Sequence, residues 1–272
     1  MVTDRPIGIF DSGVGGLTVV RAVQELLPQE HLIYFGDTAR APYGPRPVEE
    51  IRRFSFEVMD LMAAQDTKML VIACNAMTSA VYEEAKERYD LPIIGVIDPA
   101  VRAAVRATHN GRIGVIGTKA TISTGQYNRA LDASRRDIEV FTQVCSAFVD
   151  HVEAGDTFSE ELFALAEEYL EPLIEKNVDT LILGCTHYPL LKGVLHSVTN
   201  GAVELISSAE EVAKDVYQAL VETGLLLRTR AIGTRRFMVS GDAEGFRSVG
   251  SRFLPGLDLV VSRPWTTEPA VN

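Results

Sequence analysis

Two cysteines carry the chemical signal in this chain. Cys74 closes the run Met69-Leu70-Val71-Ile72-Ala73 and is followed by Asn75, while Cys185 closes Thr180-Leu181-Ile182-Leu183-Gly184 and is followed by Thr186. Each thiol ends an apolar, strand-like run, precedes a small polar residue and leads into a helical pattern. In open α/β sheets ligands bind outside the carboxyl ends of the strands, so both thiols fall where ligands sit. Two opposed thiols can move a proton from one face of a carbon to the other without a cofactor. One, as thiolate, removes the proton; the other, as thiol, delivers one to the opposite face. An unperturbed thiol has a pKa of roughly 8.5, so each needs a neighbour to set its protonation state. The third cysteine, Cys145, has no such counterpart and reads as a small buried hydrophobe.

The sequence offers neighbours of the right kind. His187 lies two residues after Cys185, and in an extended segment positions i and i+2 face the same side. Asp11 ends an apolar run in Ile9-Phe10-Asp11-Ser12-Gly13-Val14-Gly15-Gly16-Leu17. Its glycines permit close backbone approach, and the N–H groups at the start of the following helix could hold a carboxylate, with Ser12 adding a hydroxyl. The spacing fits neither a dinucleotide fingerprint nor a P-loop. Asp37 sits in the polar loop Gly36-Asp37-Thr38-Ala39-Arg40 after the second apolar run, also on the presumed ligand side. Glu153, a charged residue near Gly155, reads on its own as solvated surface. The remaining histidines (His31, His109, His151 and His196) have no comparable setting. No metal is expected: Cys74, Cys185 and His187 lack C-x-x-C or H-x-x-x-H spacing. A thiol–disulfide oxidoreductase would need C-x-x-C. A cysteine hydrolase would leave the second cysteine unexplained.

The elements that must position these residues are strands and helices in alternation. Strand-like runs occur at 7–10, 32–35, 69–73, 93–96, 113–116, 138–142, 180–183, 203–206, 237–239 and 257–261, with helical stretches between them, such as 48–65 and 160–176. Strands apolar throughout and separated by helices imply parallel sheets covered on both faces, an α/β fold. The chain also repeats itself. Ile7-Gly8-Ile9-Phe10-Asp11-Ser12 resembles Ile113-Gly114-Val115-Ile116-Gly117-Thr118 at an offset of 106 residues, and the two cysteine strands match at an offset of 111. Two related halves are therefore expected. The first domain would comprise 1–98, completed by the returning segment 209–272, and the second 99–208, with the site in the cleft between them. The polar tail 266–272 is expected to fray.

With 272 residues, 46% of them hydrophobic and 23% charged, the chain can bury a substantial core. Its net charge of −11 argues against nucleic acid or an anionic membrane as partner, while leaving room for a small anionic substrate at a local site. The N-terminus lacks the features of a signal peptide, no apolar run is long enough to span a bilayer, and three cysteines do not form a disulfide framework. A cytoplasmic location is expected.

Taken in order, the segments 7–18 (IGIFDSGVGGLT), 34–44 (YFGDTARAPYG), 71–75 (VIACN), 114–118 (GVIGT), 181–191 (LILGCTHYPLL) and 207–211 (SSAEE) resemble the glutamate racemases, over nearly the whole chain. The resemblance implies cofactor-independent interconversion of L- and D-glutamate, supplying D-glutamate for peptidoglycan. It implies Cys74 and Cys185 as the two bases, assisted by Asp11 and His187, with Asp37 and Glu153 as secondary acid/base groups. It implies substrate contacts at Asp11, Ser12, Tyr43, Gly44, Asn75, Ala76, Thr186 and His187. It further implies that Cys74 deprotonates D-glutamate and Cys185 L-glutamate; with His187 two residues from Cys185, His187→Ala is expected to impair the L→D direction more than the reverse. A homodimer is left open. One departure stands out: the family usually carries Thr where this chain has Ala76, so a hydroxyl is lost and substrate affinity is the property affected. Two other readings are separable. An aspartate racemase of the same superfamily typically has Glu after the second Cys-Thr, where this chain has His187. A non-catalytic binder would not need both thiols.

Overall fold

The computed structural model describes residues 4–134 and 137–265; the tail 266–272 lies outside them. In chain order the first part comprises β1 (Ile7–Asp11), α1 (Leu17–Leu26), β2 (Leu32–Gly36), α2 (Val48–Ala63), β3 (Met69–Ile72), α3 (Asn75–Arg88), β4 (Ile93–Gly95) and α4 (Ile97–Ala107). There follow β5 (Arg112–Gly117), α5 (Lys119–Ser123), α6 (Gln126–Asp132), β6 (Glu139–Val144), α7 (Ala147–Ala154), α8 (Glu160–Ile174), β7 (Thr180–Gly184), α9 (Lys192–Val198) and β8 (Glu204–Ser207). The chain closes with α10 (Ser208–Glu222), β9 (Arg235–Val239), α11 (Ala243–Gly250) and β10 (Val260–Ser262).

All strand pairs are parallel, in two sheets ordered β10-β9-β2-β1-β3-β4 and β6-β5-β7-β8. The repeat read from the sequence is thus a repeat of topology: β2-β1-β3-β4 and β6-β5-β7-β8 have the same order. Strands β9 and β10 extend the first sheet alongside β2. In each sheet the winding direction reverses between the first and third strand of its half, the position where parallel sheets open a ligand crevice.

The central strands of the first sheet, β1, β2 and β3, are buried on both faces, which is why they read as apolar runs. Phe10, Ile33, Phe35, Leu70 and Ile72 point to the layer containing Ile51, Met59 and Met62 of α2 and Met77 and Val81 of α3. The alternate residues Ile7, Ile9, Leu32, Tyr34, Met69 and Val71 point to Leu17, Val20 and Val23 of α1 and Val212 and Val216 of α10. That second layer is continuous with the core of the other sheet, through Ile113, Val115, Leu181 and Leu183. The last strand differs from expectation. Leu257 is buried but not in a strand, its side chain packing beside Gly250; β10 begins at Val260.

An ion pair with no exposed side-chain surface fastens the C-terminal return. Lys68, just before β3, meets Glu30 at 2.6 Å and donates to the carbonyl of Leu225 at 2.9 Å, while Glu30 accepts from the Leu227 N–H at 2.7 Å. The clasp pins the chain leaving α10 to the base of the first sheet, before it runs on to β9 and β10. Removing one partner strands a buried charge, at a cost of about 3–5 kcal/mol. We therefore expect Lys68→Met to lower the free energy of unfolding by that amount in urea titrations. A loss under 1 kcal/mol would mean that the pair contributes little to the fold.

Candidate active site

The carboxyl ends of the two sheets face a common cleft of about 200 Å³. That is smaller than the roughly 300–1,000 Å³ of drug-sized sites, and suits one small molecule. Ser12, Tyr43, Gly44, Cys74, Asn75 and Ala76 line it from the first sheet, and Glu153, Cys185, Thr186 and His187 from the second. Asp11 and Asp37 do not line it; they are fully buried behind it.

Cys74 is the residue before α3, in extended backbone, so the free N–H groups of that helix open beside its thiol. Its Sγ lies 3.7 Å from Ser12 Oγ. Burial pushes the thiol well above its ordinary pKa, and the charge of Asp11 pushes it further; bonds from the Met77 N–H and Ser12 act the other way. A charge on Cys185 also raises it, so the two thiols resist being ionised together. Asp11 is held at the end of β1 by the N–H groups of Gly13 (3.1 Å) and Gly16 (3.0 Å) on Oδ2, leaving Oδ1 without a hydrogen-bond partner.

Cys185 is supported differently. Its Sγ lies 3.7 Å from His187 Nδ1, and His187 Nε2 lies 2.9 Å from Glu153 Oε1 on α7. The imidazole packs edge-on against Phe253, 5.5 Å between ring centroids. Burial disfavours the charged ring, but its bonds to Cys185 and Glu153 outweigh that and raise its pKa to about 10. With Cys185 ionised, the ring of His187 is favoured in its charged form at neutral pH. Gly117 occupies the place of Asp11 in the second half, so the two cysteines share a frame but not a neighbour.

The remaining positions fix the cleft walls. Asp37 accepts from Arg40 Nε (2.6 Å), Ser240 Oγ (2.7 Å), Trp265 Nε1 (2.7 Å) and the Tyr43 hydroxyl. Both its oxygens are engaged, and it holds the Tyr43 side chain against the cleft. Gly44 meets the second half directly: its carbonyl accepts from the Ala120 N–H at 2.9 Å, and a Cβ there would lie 2.9 Å from Thr118. Asn75 Oδ1 accepts from the hydroxyl of Tyr127 at 2.7 Å, while its Nδ2 is buried with no partner. Ala76 is 5% exposed on the cleft wall.

Sequence reasoning missed Thr118, Thr121, Ser146, Val149 and Asp150, which also line the cleft. Thr118 had a signal, since the repeat pairs it with Ser12. The others follow β5 and β6 in loops and helix starts, with no pattern to mark them. No Lys or Arg lines the cleft among the described residues, so a bound anion would be met by N–H groups, hydroxyls, the Asn75 amide and His187. Among the described residues no three His, Cys, Asp or Glu side chains are grouped to hold a metal ion, and no helix is long and apolar enough to cross a membrane.

The halves approach closely at Gly15. A Cβ there would lie 2.2 Å from Thr186 Oγ1 and 2.7 Å from His187 Nδ1, and one of them would have to move. We expect Gly15→Ala to cut turnover by on the order of 100-fold, because a displacement near 1 Å is enough for such a loss. Gly193→Ala, which meets nothing within 4 Å, should be silent. Equal activity in both variants would remove the close approach from the account.

The family model for Asp/Glu/hydantoin racemases matches residues 16–216. A glutamate racemase from Acidothermus cellulolyticus is 51% identical over 250 residues, covering 92% of this chain and 95% of that protein. The crystal structure of a glutamate racemase isoform from Bacillus anthracis superposes with a TM-score of 0.90 at 37% identity, covering 97% of this chain and 98% of that one. The glutamate racemase from Thermus thermophilus, solved with β-chloro-D-alanine, gives 0.88 at 40% identity over 98% and 99%. With two thiols facing one cleft from matching strand ends, this chain belongs to the Asp/Glu/hydantoin racemase family and, within it, to the glutamate racemases.

Proposed function

We propose that this protein interconverts L- and D-glutamate without a cofactor, in the cytoplasm, supplying D-glutamate for peptidoglycan. The observation that carries the reading is the pair Cys74 and Cys185, at equivalent strand ends of two like sheets, lining one small cleft. The domain division that goes with it is 1–98 plus 209–272 against 99–208, supported by the sheet membership of β9 and β10.

The substrate binds with Cα between the two sulfurs. The thiolate of one cysteine takes the α-proton, leaving a planar carbanion whose charge spreads into the α-carboxylate. The thiol of the other gives its proton to the opposite face and becomes the thiolate. By this reading Cys185 removes the proton of L-glutamate, with His187 stabilising its thiolate and Glu153 holding the ring. Cys74 removes the proton of D-glutamate; the Asp11 charge makes its thiolate more basic, and Ser12 donates to it. Asp37 works through Tyr43, as an anchor for the cleft wall. Ser12, Tyr43, Gly44, Asn75, Ala76 and Thr186 contact the substrate. At Ala76 only the backbone N–H remains to bind it.

The test is racemisation of L-glutamate by the purified protein with no cofactor added, with aspartate alongside. We expect turnover of glutamate and a loss of roughly 100- to 10,000-fold in Cys74→Ser and in Cys185→Ser. No turnover of glutamate, or turnover of aspartate instead, would overturn the assignment. The enantiomers have equal free energy, so the two values of kcat/KM must fall together in any variant. The bias expected of His187→Ala therefore belongs in kcat, which should fall further for L-glutamate than for D-glutamate. Equal falls would detach His187 from Cys185. The charge of His187 is present below pH 10 and is lost as pH rises through about 10. Loss of that charge should contribute to the alkaline limb of kcat/KM, so the limb should change in His187→Asn; an identical profile in the variant would detach the ring's charge from catalysis.

A further inference from the structure

Tyr127, on α6 of the second half, lies outside the motifs that carry the chemistry and does not line the cleft. It nevertheless touches both cysteine-bearing strand ends. Its hydroxyl donates to Oδ1 of Asn75, the residue after Cys74, at 2.7 Å. Its ring lies 3.3 Å from where a Cβ of Gly184, the residue before Cys185, would stand. The side chain is 2% exposed, and burial, followed by the charge of Cys185, raises its pKa well above that of an ordinary tyrosine. The hydroxyl therefore keeps its proton and must give it to an acceptor, and Asn75 Oδ1 is that acceptor.

A side-chain amide has two faces of opposite sense. With Oδ1 fixed by Tyr127, Asn75 cannot turn its amide over without leaving a buried hydroxyl unmatched. Its Nδ2 is then committed: it is a buried donor with no partner, on a residue that lines the cleft. A buried donor left unmade is costly, and the group that would satisfy it is an anionic acceptor in the cleft. We propose that Tyr127 is a positioning residue whose hydroxyl locks the Asn75 amide so that Nδ2 donates to a carboxylate of the substrate. The inference rests on the glutamate reading above. It also makes a contact offered by the first half depend on a side chain of the second, so carboxylate binding requires the two halves to be in place together.

Tyr127→Phe tests it, because the ring stays against Gly184 and only the hydroxyl goes. The variant should melt close to the parent and raise KM and the D-glutamate dissociation constant by about 10-fold, with kcat changed less than twofold. Asn75→Ala should give a loss at least as large. Adding Tyr127→Phe to Asn75→Ala should cost nothing more, since the hydroxyl acts only through the amide. Undiminished affinity in Tyr127→Phe, or an unchanged penalty in the Asn75→Ala background, would overturn the role of Tyr127 while leaving the racemase reading intact. A parent protein that neither binds D-glutamate in calorimetry nor turns it over would overturn both.

Discussion

The structure depends on one electrostatic constraint: two like groups must hold opposite protonation states at the same moment. A thiolate and a thiol on either side of a carbon can exchange its proton between faces, whereas two thiolates or two thiols cannot. In a cleft of about 200 Å³ the two sulfurs influence each other, and a charge on Cys185 raises the pKa of Cys74. Mutual repulsion therefore favours the singly ionised state that the chemistry requires. The repeated β-β-β-β frame places both sulfurs at switch-point strand ends, and the packing between the halves brings those ends to one cleft.

On this symmetric frame the supports are asymmetric. Asp11, its carboxylate held by Gly13 and Gly16, stands behind Cys74, whereas Gly117 is its counterpart in the second half. Cys185 instead has the imidazole of His187, held by Glu153 and backed by Phe253. A negative neighbour raises the pKa of the first thiol and makes its thiolate a stronger base; the second sulfur has a hydrogen-bonded ring beside it instead. The C-terminal return completes both sides. It sends Ser240 and Trp265 to Asp37 and Phe253 to His187, and the Lys68–Glu30 clasp fixes its path.

The strands and thiols were legible in the sequence for a physical reason. A parallel strand buried on both faces is apolar along most of its length, so β1, β3, β5 and β7 announce themselves and their ends mark the crevice. His187 was legible because its partner is two residues away. Asp37 was legible as a loop residue but not as an anchor, because Ser240 and Trp265 lie more than 200 residues further along the chain. Glu153 was not legible unaided, since only folding brings α7 beside His187, and Tyr127 was missed for the same reason. Leu257 misled, because an apolar residue that packs beside a glycine looks the same in sequence as one in a strand.

The most direct test of the two-base claim is the fate of the α-hydrogen early in the conversion of L-glutamate in heavy water. If the two thiols act on opposite faces, newly formed D-glutamate carries deuterium at Cα, because the delivering thiol has equilibrated with solvent. The remaining L-glutamate keeps protium. Proton NMR with chiral separation reads both pools. Protium retained in the product, or deuterium entering the substrate pool as fast as product forms, would point to a single base serving both faces and contradict the account.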